Sequence, residues 1–196
     1  RRQAAASQPL RPRPGKVRPM TDLQKLLAHQ EIRQLASRYA ICVDARDLDA
    51  LVRLFVPDVR VGRDRFGREA LREDFDRSLR SVGITFLNVG SHVIDLGAAG
   101  GDPDRATGIV YCRGEIQDGG LESERWIVQA IQYHADYARR DGEWLFVRRR
   151  HFLVYGSEAG ANPLGLPPAD WPARQTGLGS HPHVLPSWKR FWGLED

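Results

Sequence analysis

The sequence predicts a single α+β domain in which three helices precede a strongly curved antiparallel sheet. Two observations lead to this prediction. Between positions 22 and 79, apolar residues recur at the three- and four-residue spacing of amphipathic helices. Between positions 84 and 155, polar residues alternate with β-branched and aromatic ones, which is typical of strands. The length of 196 residues fits one domain of ordinary size.

The first predicted helix is the longest and covers about residues 22–43. Thr21 and Gln24 have the spacing of a capping box, in which each side chain satisfies the other's backbone N–H. The apolar residues that follow keep helical spacing as far as Tyr39 and Ala40. One face of this helix should therefore pack against the rest of the domain.

Two shorter helices follow the first. Asp47 is a suitable N-cap for the second helix, and Pro57 ends it because proline cannot continue a helix. Val59 and Val61 indicate a short strand. The third helix is predicted over residues 67–79.

Four long strands make up the second half of the domain. The predicted strands cover residues 84–96, 106–117, 123–139 and 143–155. Asp118-Gly119-Gly120 and Asp141-Gly142 are signals for tight hairpin turns, so neighbouring strands should be antiparallel. Such a sheet has one face that the helices cover.

Segments of unusual composition flank the predicted domain at 20–155. Residues 1–19 are rich in Pro and Arg and have too few apolar side chains to offset the entropy of ordering, so we expect a flexible basic extension. Residues 156–196 are rich in Pro and Gly but also contain Trp171, Trp188 and Trp192. Large aromatic side chains favour packing on the domain, on a neighbouring subunit or over a pocket.

The charge distribution disfavours nucleic-acid binding. Six of the 29 Lys and Arg residues lie within residues 1–19, which leaves 23 basic against 25 acidic residues in the remainder. A nucleic-acid-binding domain normally carries its basic excess on the folded surface. We therefore expect no nucleic-acid partner.

Cysteine usage and hydropathy favour a cytoplasmic protein with no metal site. Cys42 and Cys112 lie far apart and have neither a disulfide framework nor a zinc-site spacing around them. No apolar run approaches the length of about 18 residues that a membrane span needs, so we expect no membrane partner. The sequence also lacks a phosphate-binding loop and a nucleophile elbow. Acid–base chemistry without a cofactor is what remains.

An ordered set of short motifs resembles the SnoaL-like proteins of the nuclear transport factor 2-like superfamily. The motifs are Glu31-Ile32-Arg33-Gln34-Leu35, Leu54-Phe55-Val56-Pro57-Asp58, Gly67-Arg68-Glu69-Ala70-Leu71, Gly90-Ser91-His92-Val93-Ile94 and Tyr133-His134-Ala135-Asp136-Tyr137. The resemblance covers about residues 22–155. It implies a cone-shaped α+β barrel with a deep pocket, and a homo-oligomer, dimer or trimer, packed through the sheet.

The nearest resemblance is to the scytalone dehydratase and bile acid 7α-dehydratase branch. Tyr39 and Asp44 match the Tyr and Asp that line the pocket in these enzymes. The match is incomplete on the sheet: a strand position that often carries His is Leu87 here, and a pocket Arg of the last strand falls on Leu153. These departures argue against a mechanism identical to either dehydratase.

Asp44 and His92 are the candidates for proton transfer. In an apolar pocket, desolvation would raise the pKa of Asp44 toward the working pH, as a general base requires. The alternative for Asp44 is an ordinary carboxylate at a helix end. His92 could transfer protons because imidazole titrates near neutrality, or it could cap a strand turn, and a bulge at Gly90 would decide its direction.

Alternation on the third and fourth predicted strands does not decide which face of each strand points into the pocket. If the odd-numbered residues of 126–138 face the interior, Tyr133 donates a hydrogen bond to substrate, which we favour; otherwise His134 takes that role. His151 is a further candidate on the last strand. Together with these, the predicted lining of the pocket consists of Leu87, Phe55, Ile131 and Tyr111.

Two classes of function are consistent with these residues. The first is a lyase that acts on an aromatic or polycyclic hydroxy or keto compound, with Asp44 or His92 as base and Tyr39 and Tyr133 as hydrogen-bond donors. Isomerisation, cyclisation and retro-aldol cleavage would use the same groups. The second is a non-catalytic binding or assembly module, which predicts that side chains fill the interior of the cone.

Overall fold

The computed structural model describes residues 19–97, 100–160, 162–170 and 173–194, and it shows three helices followed by a four-stranded antiparallel sheet. The helices are α1 (Asp22–Asp44), α2 (Leu48–Arg53) and α3 (Gly67–Arg80). The strands of the main sheet are β3 (Val82–Leu96), β4 (Arg105–Asp118), β5 (Trp126–Arg140) and β6 (Glu143–Glu158), in that order. The predicted fold class is confirmed.

Local hydrogen bonds explain where the helices begin. The capping box forms as expected: the Gln24 amide donates to Thr21 Oγ1 at 3.2 Å, and Gln24 Oε1 accepts from the Thr21 amide at 2.8 Å. Asp47 accepts from the Ala50 amide at 3.0 Å and caps α2. The predicted helices are confirmed to within one residue at the ends of α1 and α3.

The segment between α2 and α3 differs slightly from the prediction. The expected strand exists as β1 (Arg60–Val61), but it pairs with a second strand, β2 (Arg65–Phe66), which the sequence analysis did not predict. Each strand has two residues, too few for an alternating pattern to be visible. Phe55 lies beside Phe146 at the outer edge of β6 and connects this segment to the sheet.

Two of the four register shifts in the sheet decide which side chains of the candidate site face the helices. One lies between Val89 and His92 on β3, close to the bulge that we considered at Gly90. The other, opposite Asp136 and Tyr137 of β5, interrupts β6 just before its run of arginines. Both predicted hairpin turns connect the strands they were expected to connect.

The main core lies between α1 and the concave face of the sheet. Side chains from α1 and from β4, β5 and β6 meet there, and they include Ile32, Ala36, Val110, Ile131, Tyr137 and Phe146. Ile32, Ala36 and Phe146 are fully buried. This contact places the carboxyl end of α1 over the first half of β3.

The C-terminal segment packs on the helical side of the domain through a short helix, α4 (Pro186–Trp192). Trp188 is fully buried and Phe191 nearly so, next to Leu79 and the end of α1. The Ser187 hydroxyl donates to the Ala45 carbonyl at 2.8 Å. Trp171, and residues 1–18 of the predicted extension, lie outside the described residues.

Among the described residues, no helix combines the length and the apolar character that crossing a membrane requires.

Candidate active site

One row of side chains crosses the concave face of the sheet. In the register of the four strands, His92 is opposite Val110, Val110 is opposite Tyr133, and Tyr133 is opposite His151. Val110 and Tyr133 are buried beneath α1. Tyr133 therefore faces the interior, as we favoured from the alternation of β5.

Asp44 lies at the carboxyl end of α1, and both of its carboxylate oxygens accept hydrogen bonds from β3. Oδ1 accepts from the Thr85 hydroxyl at 2.7 Å, and Oδ2 accepts from the Leu87 backbone amide at 2.9 Å. The carboxylate is half-buried. The helix end and the strand together hold the carboxylate in one position. A carboxylate on a free loop would lack these two contacts.

Arg46 stabilises this arrangement through Thr85. The residue has a positive φ of 56° and is almost completely buried. Its Nη1 donates to Thr85 Oγ1 at 2.9 Å and to the Val43 carbonyl, and its Nη2 donates to the Gly83 carbonyl. Trp188 of α4 covers the guanidinium at 5.1 Å from the ring centre. Thr85 thus connects Asp44 to a fixed positive charge.

Burial dominates the electrostatics of Asp44. It raises the pKa of the carboxyl, and the hydrogen bonds from Leu87 and Thr85 and the charge of Arg46 only partly oppose it. The direction agrees with the expectation from sequence. The Asp44 charge contributes to the raised pKa values of Cys112 and Tyr133, so its field extends into the interior.

Arg149 places a second guanidinium in the interior, between two tyrosine rings. Its Cζ lies 4.2 Å from the ring centre of Tyr39 and 3.8 Å from that of Tyr133. Two of its nitrogens, Nε and Nη1, are buried and have no hydrogen-bond partner. A buried cationic donor without an acceptor is unfavourable unless something else supplies one.

Tyr39 and Tyr133 face each other across this guanidinium, with ring centres 6.1 Å apart. Burial is the main cause of the raised pKa of both phenols, although the Arg149 charge acts in the opposite direction. Both hydroxyls are therefore protonated at neutral pH. Each is able to donate a hydrogen bond or a proton to an oxygen bound nearby.

His92 forms a separate pair with Tyr137. Its Nε2 lies 3.2 Å from the Tyr137 hydroxyl, and its Nδ1 is buried without a partner. Gly108 makes room for this contact, because a Cβ there would lie 3.0 Å from His92 Nε2 and 3.1 Å from Tyr137 Cε2. Burial, followed by the charges of Arg149 and Arg33, lowers the pKa of His92 to about 4.

The two predicted bases therefore lie far apart, and their pKa values are shifted in opposite directions. Asp44 is bonded to Leu87, and His92 lies five residues further along the same strand, which corresponds to roughly 15 Å. They do not form a carboxylate–imidazole dyad. His92 is neutral at pH 7 and only weakly basic, so the choice that the sequence left open favours Asp44.

The structure divides the predicted lining residues between the two faces of the sheet. Phe55 and Ile131 are buried in the interior, Leu87 is half-buried, and His151 stacks on Tyr133 at 5.4 Å while its own side chain is exposed on the edge strand. Tyr111 and His134 do not share this face. Tyr111 is 53% exposed, and His134 packs on Phe152 and contacts Gln132. Both were placed in the pocket from sequence, and strand alternation puts them on the opposite side.

The interior contains more side chains and less open space than a deep pocket would. Five clefts of the described part of the chain are lined by other residues, and none of the five is lined by Asp44, Tyr39, His92 or Tyr133. The rings of Tyr39, Phe55, Phe75 and Phe146 pack edge to face around the place where a substrate was expected.

Arg149 is the functional candidate that sequence reasoning missed. It stands in a run of three arginines, Arg148 to Arg150, which is ordinarily a solvated stretch. The pairing of Arg149 with buried Ala135 shows that only the middle arginine faces the interior. The signal that could have identified it is its spacing of two residues from His151, because residues two apart on a strand share a face. The register places His151 opposite Tyr133.

No group of three or more His, Cys, Asp or Glu side chains in the described part of the chain has an arrangement that could hold a metal ion. Two protonated phenols, Tyr39 and Tyr133, lie against the Arg149 guanidinium, and the Asp44 carboxylate, whose pKa is raised, lies at the carboxyl end of the helix that carries Tyr39. A base of this kind can remove a proton from a carbon next to a carbonyl group. The phenols and the guanidinium can stabilise the negative charge that then develops on the carbonyl oxygen.

Solved structures similar to this chain share its fold. A hexachlorocyclohexane dehydrochlorinase, LinA type 2, is 24% identical, with a TM-score of 0.59 over 72% of this chain and 96% of its own. LinA type 3 from Novosphingobium barchaimii is 21% identical, with a TM-score of 0.61 over 71% and 95% of the two chains. A scytalone dehydratase-like protein from Novosphingobium aromaticivorans is 18% identical, with a TM-score of 0.59 over 76% and 100%.

The sequence comparisons give one family. No curated protein sequence is similar enough to match the chain. The model of the SnoaL-like domain matches residues 24–150, which is well over half of the chain and contains α2, α3, all but the first two residues of α1, and Asp44, Tyr133 and Arg149. This chain therefore belongs to the SnoaL-like domain family.

Proposed function

We propose that this protein is a cofactor-independent acid–base lyase that acts on an apolar aromatic or polycyclic hydroxy or keto compound. The observation that carries the proposal is Arg149, whose buried Nε and Nη1 have no partner and lie between the rings of Tyr39 and Tyr133. A substrate oxygen that gains negative charge would supply the missing acceptor. The names of the similar structures, a dehydrochlorinase and a scytalone dehydratase-like protein, agree with elimination chemistry.

In the proposed reaction, Asp44 removes a proton from a carbon next to a carbonyl group. The electron pair of the C–H bond forms a C=C bond, the carbonyl oxygen becomes an enolate, and Arg149 stabilises that oxygen. When the carbonyl re-forms, the C–O bond to the leaving hydroxyl breaks, and Tyr133 donates the proton that turns the hydroxyl into water. The proton on Asp44 then restores Tyr133, so that the net change is loss of one water molecule.

The surroundings of the proposed base fit this role. The pKa of Asp44 is raised by burial, which makes the carboxylate a stronger base, while Thr85 and Leu87 hold it in a fixed orientation. The residues that line the interior, such as Phe55, Phe75 and Ile131, are apolar and favour a largely apolar substrate. Isomerisation, cyclisation and retro-aldol cleavage would begin with the same proton transfer or the same oxyanion.

A non-catalytic binding or assembly module is the second candidate function. It is favoured by the rings of Phe55, Phe75 and Phe146, which pack edge to face against Tyr39 in the interior. None of the five clefts described above is lined by Asp44 or Tyr133. Under this alternative, Arg149 would bind an anionic ligand without turnover. The two candidates predict different outcomes in a turnover assay but not in a binding assay.

The expected homo-oligomer is part of the same proposal. The face of the sheet that α1 does not cover exposes large apolar side chains, namely Phe86, Val93, Tyr111, Phe152 and Tyr155. Such a contiguous set favours burial against a second copy. The dimer or trimer should therefore be visible as a multiple of the chain mass of 22.1 kDa by light scattering.

The substitution Asp44→Asn tests the proposed reaction. A panel of aromatic and polycyclic hydroxy ketones is incubated with the protein, and loss of water is followed by mass spectrometry. The variant should turn over any accepted substrate at least ~10²-fold more slowly, because the amide cannot accept the proton. Asp49→Asn, at an exposed carboxylate on α2, is the matched control and should retain the wild-type rate. Undiminished turnover by Asp44→Asn would show that Asp44 is not the base. If the wild-type protein turns over none of the compounds, the binding module is favoured instead.

A further inference from the structure

A second cleft, separate from the Asp44 carboxylate, is lined mainly by arginines. It has a volume of about 690 Å³ and lies where the segment after α2 meets β4, β5 and β6. The charged residues that line it are Asp58, Arg60, Arg105, Asp136, Arg140, Arg148, Arg149 and Arg150. The volume is within the range of ~300–1,000 Å³ that is typical of small-molecule sites.

The arginines of this cleft differ from the other arginines of the domain. In the described part of the chain, six arginines elsewhere form ion pairs with carboxylates, and they are Arg65, Arg72, Arg77, Arg80, Arg113 and Arg125. None of the six cleft arginines is in such a pair, and neither is Asp58 or Asp136. The difference is not a shortage of carboxylates, since two lie in the same cleft.

Several of the cleft guanidinium groups have no internal contact at all. The side chains of Arg105, Arg140 and Arg148 make no hydrogen bond, ion pair or ring contact with any described residue. Arg60 donates only to backbone carbonyls, and Arg150 lies 5.7 Å from the ring of Phe152. Their donors are therefore available to a ligand.

Concentrating so many like charges in one concave surface is unfavourable without counter-ions. Even without Arg149, whose guanidinium lies between the rings of Tyr39 and Tyr133, five arginines against two aspartates leave a positive cleft, although the chain after residue 19 carries slightly more acidic than basic residues. A concave wall of one charge focuses the field and attracts ions of the opposite charge. The planar guanidinium fork matches the geometry of phosphate and carboxylate oxygens.

We propose that this arginine cleft is a binding site for a small multivalent oxyanion, such as a diphosphate, a triphosphate or a polycarboxylate. The size of the cleft and the number of separate guanidinium groups favour a ligand with at least two anionic groups rather than one. Arg149 lines the cleft and also contacts Tyr39 and Tyr133, so the bound anion lies beside the proposed active site. The site is independent of whether Asp44 catalyses a reaction.

Titration calorimetry of the full chain with inorganic pyrophosphate, tripolyphosphate and citrate tests this proposal at a fixed, near-physiological ionic strength. The wild-type protein should bind at least one of these probes with a stoichiometry of one per chain. The double variant Arg105→Gln/Arg148→Gln should bind at least ~10-fold more weakly, since each lost charged hydrogen bond weakens binding by that order. Neither residue supports the fold through a side-chain contact, and their removal relieves like-charge repulsion, so the thermal midpoint should not fall below that of the wild type.

The matched control is Arg77→Gln/Arg113→Gln, which removes the same charge from two exposed ion pairs outside the cleft. It should retain wild-type affinity. An equal loss in both double variants would overturn the proposal, because binding would then follow net charge alone. Absence of millimolar or tighter binding of all three probes would also overturn it. Affinity for a 20-nucleotide DNA that exceeds the affinity for tripolyphosphate and is lost in the cleft variant would overturn the proposal as well, because the cleft would then bind nucleic acid.

Discussion

Arg46 and Arg149 both bring a guanidinium group into the interior, but Arg46 donates to three acceptors there, whereas Nε and Nη1 of Arg149 have none. Arg46 donates to Thr85 and to two backbone carbonyls, and only its Nε remains without a partner. Arg149 has ring contacts and two unpartnered nitrogens. Arg46 therefore stabilises the folded structure through its hydrogen bonds. The buried donors of Arg149 have no such partners, which favours a role in ligand binding.

The largest expected effect is the loss of stability in Arg46→Met. The substitution leaves the Gly83 and Val43 carbonyls and the Thr85 hydroxyl without their donor, and the free energy of unfolding should fall by about 3–5 kcal/mol. Denaturant unfolding measures this difference. Arg77→Met, at an exposed ion pair on α3, should stay within about 0.5 kcal/mol of the wild type. A change in Arg46→Met as small as that of the control would mean that Arg46 is not structural.

Arg149→Met should have a smaller effect of the opposite sign. Removing a buried guanidinium with unpaired donors relieves a desolvation penalty, and the loss of its contacts with Tyr39 and Tyr133 offsets part of the gain. We expect the free energy of unfolding to rise by about 0.5–2 kcal/mol in the same unfolding experiment. A loss of stability comparable to that of Arg46→Met would abolish the distinction between the two arginines.

The smallest expected effect concerns His92 and pH. Its pKa falls from an ordinary value of 6.5 to about 4 in the folded protein, so the unfolded chain binds more protons between these values. The contribution of His92 to stability is therefore present above about pH 6.5 and is lost as the pH falls toward 4. Because the ring is only partly buried, the loss should amount to about 1–2 kcal/mol.

His92→Gln should weaken this pH dependence, as measured by unfolding at a series of pH values. His134→Gln removes an imidazole from the opposite face of the sheet and serves as the control. An unchanged acid limb in His92→Gln would show that other groups cause the loss of stability at low pH.

Periodicity predicted the architecture because the local signals were strong and agreed with one another. The capping box at Thr21 and Gln24 and the Asp-Gly turns fixed the ends of elements, and alternation put Tyr133 and His134 on opposite faces of one strand without deciding which face meets α1. Asp44 was found through its resemblance to family motifs. Its raised pKa could be anticipated because a carboxylate at the end of an apolar helix is desolvated.

The remaining features depend on register, which a single sequence does not encode locally. The bulge between Val89 and His92 directs the imidazole toward Tyr137, and the irregularity before Arg148 decides which of three arginines points inward. Tyr111 and His134 were misplaced for a different reason: alternation gives each strand two faces, and the sequence does not tell which of them meets α1. The packed state of the ring cluster around Tyr39 is a tertiary property that no short pattern predicts.

The most direct test of the central claim, that Arg149 holds a substrate oxygen as it becomes an anion, is the ionisation of bound 4-nitrophenol. The phenolate absorbs in the visible range, so the ionised fraction of the bound compound can be read at each pH. The wild-type protein should bind the compound and lower its pKa relative to the free value, and Arg77→Met should do the same. In Arg149→Met the lowering should be lost. A bound nitrophenol that ionises identically in the wild type and in Arg149→Met would contradict the account.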